Sequence, residues 1–72
     1  MKINDSKEFG AALRWRRKAL GYTQSYLSEF TGFSVSFISD LERGKETAEL
    51  GKSLYIASLL GLDFLLQERG NR

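Results

Sequence analysis

The 72-residue chain contains no cysteine, no histidine and no proline. Without cysteine there is no disulfide to staple it and no thiol to hold a metal, which fits a reducing compartment. Without histidine, the side chain that ordinarily titrates near neutral pH is missing. Serines are numerous, but none has a base beside it, and no glycine-rich phosphate loop is present. These gaps argue against an enzyme, and neither a cofactor nor a metal is expected. No segment approaches the roughly 20 consecutive apolar residues of a membrane span. The opening MKINDSKEFG lacks the apolar core of a signal peptide, so no membrane partner and a cytoplasmic location are expected.

What is present reads as one globular domain over residues 1–72, with 42% hydrophobic and 28% charged residues. At this length a single core is only marginally sufficient, so self-association is an expected source of extra stability. Net charge is +2, and its distribution is more informative than its sum. RWRRK places Arg14, Arg16, Arg17 and Lys18 within five residues, and Arg43, Lys45 and Lys52 follow later. The acids lie mostly elsewhere, at Asp5, Glu8, Glu29, Glu46, Glu49, Asp63 and Glu68. Such clustering suits either a phosphate-facing surface or a solvated helix face, and charge alone does not choose.

Glycines divide the chain. Gly21, Gly32, Gly44 and Gly61 each follow an apolar-periodic segment, where a left-handed residue ends a helix. Matching starts precede those segments: Asp5 with Glu8 fits a capping box, and Thr23 and Ser34 fit N-caps. The spacing predicts helices over about 6–20, 24–31, 35–43 and 50–60, with LDFLLQ (62–67) as a short strand and ERGNR as a frayed tail. The middle pair is so short that it needs a platform. Leu27 and Phe30 give its first helix an inner face, and Ile38 and Leu41 serve the second. Ser28 is small at their crossing, Gly32 permits the sharp turn, and Phe33 plugs the junction. Leu13, Leu20, Leu50, Leu54, Ala57 and Leu60 supply the remaining walls. Residues 23–44 therefore read as a helix-turn-helix, a motif commonly used to set its second helix in the DNA major groove.

The stretch ALGYTQSYLSEFTGFSVSFISDLERGK resembles the Cro/cI-type, or XRE-type, helix-turn-helix family. Leu20-Gly21, Thr23-Gln24, Leu27-Ser28, Gly32-Phe33-Ser34 and Ile38 through Leu41-Glu42-Arg43-Gly44 carry the likeness, which covers about residues 10–61. Ser28 departs from the usual alanine and Thr31 from the usual apolar residue, though both stay small. The resemblance implies an all-α, compact four-helix, lambda-repressor-like domain. Within the family, the run Phe37 to Lys45 followed by LGLDFLL is most similar to HipB-like antitoxins. Those are dimeric repressors paired with HipA-like kinase toxins, and a C-terminal strand pairs with that of a second subunit.

Site residues follow from both readings. Val35, Ser36, Ser39 and Asp40 are expected base contacts: Ser36 can donate or accept at a base edge and Val35 can pack on a thymine methyl. Asp40 equally suits an intrahelical pair with Arg43, and Ser34 equally suits a cap. The resemblance assigns Gln24, Arg43 and Lys45 to the DNA backbone, with Ser34, Arg14 and Lys18 beside them. It pairs Arg17 with Glu42 as a structural salt bridge beneath the platform. Trp15 falls off the Phe9–Leu13–Leu20 face, either as a partner contact or partly buried against a loop. Leu62, Phe64, Leu65 and Leu66 would form the dimer interface, because a lone strand leaves its backbone groups without partners.

The expected function is therefore a sequence-specific, nucleoid-associated repressor. It would bind double-stranded DNA as a homodimer on a palindromic operator and serve as the antitoxin of a HipA-like kinase. Alternatives are a stand-alone or phage-type regulator, and an antitoxin that binds protein but not DNA.

Overall fold

The structure, a computed structural model, describes residues 2–70. Its helices are α1 (Ser6–Ala19), α2 (Gln24–Thr31), α3 (Val35–Glu42) and α4 (Leu50–Leu59). Every predicted boundary lies within one residue of the observed one. Caps explain the starts of α1, α2 and α3, because side chains there satisfy amides that have no intrahelical partner; α4 starts at Glu49 without one. Asp5 accepts from the Glu8 amide at 2.8 Å, Thr23 from Tyr26 at 2.9 Å and Ser34 from Phe37 at 3.0 Å. The return arm of the first cap is shifted by one residue: Glu8 accepts from the Asn4 amide rather than from that of Asp5. The four glycines expected at helix ends all have φ between 79° and 91°.

Leu13, Leu27, Ile38, Leu41, Ile56, Ala57 and Leu60 form the core, with Phe9, Phe33, Phe37, Ala48 and Leu62 packed around it. Phe33 closes the turn, meeting Phe37 and Tyr55 edge-on at 5.6 and 5.9 Å. Lys52 lies over the Phe33 and Phe37 rings at 5.3 and 5.5 Å from their centroids. It also pairs with Glu49 at 3.3 Å, so it is spent within its own corner of the molecule.

Three expected wall residues lie outside. Phe30 is 62% exposed, and Leu20 and Leu50 are also exposed. The inward row of α2 is Leu27–Thr31, and the Thr31 hydroxyl donates to the Leu27 carbonyl. Phe30 instead continues an outer i,i+4 row, stacked on Tyr26 with centroids 6.3 Å apart. Leu20 caps α1 and Leu50 opens α4. At an element's end, helical angle alone does not bury a side chain.

The predicted strand is absent: among the described residues there is none, and residues 62–70 have no regular structure. A strand exists through its ladder, and one chain offers no second edge. Leu62 still docks on the core, its amide donating to the Ala57 carbonyl at 2.9 Å, and Phe64 meets Phe9 edge-on at 6.2 Å. Of the predicted tail, Asn71 and Arg72 lie outside the described residues. Among the described residues no helix is long and apolar enough to cross a membrane.

Helix α1 crosses α3 at Gly10, whose importance the sequence reading missed. A Cβ there would overlap the carbonyl oxygens of Leu41 and Glu42. One turn earlier on α1, the Lys7 backbone would stand 2.6 Å from a Cβ at Gly44, where φ is also positive. Gly10→Ala should therefore cost about 1–3 kcal/mol, by forcing two backbones apart. Gly51→Ala, with open space around it, should leave the protein as stable or gain up to about 1 kcal/mol. Thermal unfolding of both variants checks the contrast, and equal losses would dismiss the close approach.

Candidate nucleic-acid interface

Gly32 turns the chain sharply enough that α3 leaves α2 with its first turn projecting. Ile38 and Leu41 point into the core, while Val35 and Ser36 face solvent at the helix start. The amides of a first helical turn have no intrahelical acceptor, so this end presents N–H groups beside a hydroxyl and a small apolar side chain. The Ser34 hydroxyl is occupied, since it accepts from the Phe37 amide. The end of α3 is self-contained as well. Arg43 reaches back to donate to the Ser39 hydroxyl and the Asp40 carboxylate, and Lys45 lies 3.7 Å from Asp40. Ser39 and Asp40 thus hold two cations in the free protein.

Beneath this surface lies a buried ion pair. Arg17 donates from Nε to Glu42 Oε2 at 2.7 Å and from Nη2 to Oε1 at 3.0 Å, with side chains 8% and 3% exposed. Its Nη1 donates to the Tyr22 carbonyl at 2.8 Å, and Gln24 Nε2 donates to Glu42 Oε1 at 3.0 Å. The hydrogen bonds to Glu42 raise the Arg17 pKa against the opposing effect of burial, so the guanidinium stays charged. Among the described residues no buried side-chain N or O lacks a partner. The network ties α1 to the start of α2 and the end of α3.

The RWRRK cluster is split by helical angle into three tasks. Arg17 turns inward, while Arg16 clamps α4 by donating to the Leu60 carbonyl at 2.7 Å. Arg14 and Lys18 stay exposed and line an open groove between α1 and the helix-turn-helix. Lys7 and Trp15 continue its α1 wall, and Gln24, Ser39 and Arg43 form the opposite side. Trp15 is 58% exposed, not tucked under a loop. The positions of Lys7 and Trp15 in this groove were readable only as an i, i+8, i+11 row with Lys18. That signal is too weak without knowing which face α3 lies on.

Comparison with known proteins matches residues 13–66 to the helix-turn-helix family model. The chain belongs to the XRE-type helix-turn-helix family of DNA-binding transcriptional regulators. It is 35% identical over 71 residues to the uncharacterized HTH-type transcriptional regulator y4mF of Sinorhizobium fredii, covering 99% of this chain and 93% of that one. Two solved structures are similar in fold. A HipB–O4 20mer complex shares 26% identity at a TM-score of 0.84, covering 94% of this chain and 96% of that one. A HipB variant–O2 20mer complex shares 25% at 0.85, covering 94% of each.

As a helix-turn-helix protein, the chain needs α3 held rigidly, which makes the ion pair the part most open to test. Removing one partner leaves an uncompensated buried charge, so Arg17→Ala or Glu42→Ala should each cost about 3–5 kcal/mol. The double variant should cost less than the sum of the two. Denaturant unfolding of the four proteins measures the coupling, and additive losses would show the pair to be energetically idle.

Proposed function

We propose that the chain is a homodimeric repressor that reads a palindromic operator with α3 and acts as the antitoxin of a HipA-like kinase toxin. What carries this reading is the open first turn of α3, with Val35 and Ser36 exposed beside free backbone N–H groups on a rigid platform. The bases are read there: Ser36 hydrogen-bonds a base edge and Val35 packs on a methyl group. Ser39 and Asp40 join only by giving up Arg43, which otherwise turns to phosphate with Lys45, Arg14 and Lys18. Ser34 and Gln24 support the backbone contact, Ser34 mainly through its cap. The likeness to HipB complexes across nearly the whole chain favours the antitoxin role. The relative described only as a transcriptional regulator keeps a stand-alone regulator as the second reading. Pull-down from native lysate separates them: a co-purifying kinase-like protein supports the antitoxin, and its absence supports the plain regulator.

If this sorting of contacts holds, Ser36→Ala or Val35→Ala should lose discrimination between operator and random duplex, by about 1–3 kcal/mol per contact. Arg43→Ala should weaken both duplexes similarly and flatten the salt dependence by about one phosphate. Titrations at several salt concentrations decide it. Equal loss of discrimination for Arg43 and Ser36 would show the sorting to be wrong.

Dimerisation falls to the tail. Leu65 and Leu66 are 75% and 88% exposed, beside a backbone whose N–H and C=O groups find no ladder in one chain. Antiparallel pairing with the same segment of a second copy would satisfy those groups and cover Leu65 and Leu66. It would also fix the two α3 helices at a set spacing for half-sites about one helical turn apart. Deleting residues 62–72, or Phe64→Pro, should give monomers in sedimentation that bind an operator far more weakly. A truncated chain that still sediments as a dimer would put the interface elsewhere, with exposed Tyr55 on α4 the first alternative.

A further inference from the structure

The groove beside Trp15 holds Arg14, Lys18 and Arg43, already proposed to meet phosphate, together with two residues that reading leaves unassigned, Lys7 and Trp15. Lys7, Arg14, Lys18 and Arg43 line it, against one acid, Glu42. That acid is buried and already bonded to Arg17 and Gln24, so it projects little negative charge into the opening. The α1 wall is therefore cationic along its length, from Lys7 to Lys18, about 16 Å at the rise of an α-helix, while Arg43 on the far wall is paired with Asp40. Between those cations sits an indole that is more than half exposed, a large apolar face with one N–H donor at its edge. The Trp15 indole N–H has no hydrogen-bond partner among the described residues, and the side chain is not part of the core.

Such a groove asks for an occupant that alternates regularly spaced negative charge with small apolar surfaces. A sugar–phosphate strand has that composition, and the groove opens onto Ser39 and Arg43 of the helix proposed to read the bases. We propose that one strand of bound DNA runs through this groove, with Trp15 contacting its backbone and Lys7 extending the phosphate track beyond Arg14. The proposal rests on the DNA-binding reading above. It adds Lys7 and Trp15 to the α1 residues, Arg14 and Lys18, that the reading above already sets against the DNA backbone. Contacts of this kind hold the duplex in register without selecting its sequence.

Trp15 is the only tryptophan in the chain, so its fluorescence reports on this groove alone. Binding of a fluorescein-labelled random 20-base-pair duplex at low salt can be followed independently by anisotropy. The acrylamide quenching constant of Trp15 should fall at least about twofold as the duplex saturates, and recover as salt strips the DNA off. Lys7→Ala, checked for native helix content by circular dichroism, should weaken random and operator duplexes equally and flatten the salt slope by about one. If anisotropy shows saturation while Trp15 remains as open to acrylamide as in the free protein, the strand does not run there. The groove would then suit an acidic segment of a protein partner, and the proposal is overturned while DNA binding stands. A duplex that never binds overturns both together.

Discussion

Taking a guanidinium and a carboxylate out of water costs several kcal/mol per ion, and only near-ideal geometry offsets it. The Arg17–Glu42 pair meets that demand with two parallel hydrogen bonds, a third to the Tyr22 carbonyl and a fourth from Gln24. Its partners come from α1, from the loop after it, and from α2 and α3, so satisfying one charge fixes four parts of the chain. A hydrophobic contact at the same place could be equally stable but would tolerate sliding. The ion pair does not, because a shift of an ångström leaves a buried charge unmet. The angle at which α3 leaves the body, and with it any use of its first turn, depends on this geometry.

That constraint explains the economy of the surrounding packing. Buried hydrophobic side chains are few in so short a protein, and among the described residues none is larger than leucine or isoleucine. The aromatic residues sit at the edges instead, Phe33 under the turn and Phe9 beneath the tail. Close approach at Gly10 lets α1 lie directly on the α3 backbone, which is what brings Arg17 within reach of Glu42. The exposed Tyr22–Tyr26–Phe30 row is the counterpart of that economy: α2 is too short to bury two faces.

Surface electrostatics are equally divided by geometry. Four basic residues adjacent in sequence end in three environments, one buried pair, one clamp on α4 and two exposed groove residues. At the end of α3, Asp40 holds Arg43 and Lys45 close in the free protein, so cations suited to phosphate are partly neutralised at rest. An exposed pair of this kind is weak.

The sequence by itself determined the four helices and their ends, because capping side chains and left-handed glycines act locally and leave a local signature. It determined the helix-turn-helix for the same reason, and the first turn of α3 as the exposed end. Which arginine of RWRRK turns inward could be read from the family resemblance, but the roles of Arg16, Gly10 and Lys7 could not. Each depends on what a different helix places opposite: the Leu60 carbonyl, the Leu41 backbone, the far wall of a groove. Phe30 shows the same limit, since periodicity identified an apolar face on α2 but not which of two rows the body would cover. The tail marks the remaining boundary. Alternating apolar residues can specify a willingness to pair, but a strand is made by two edges, and one chain supplies only one.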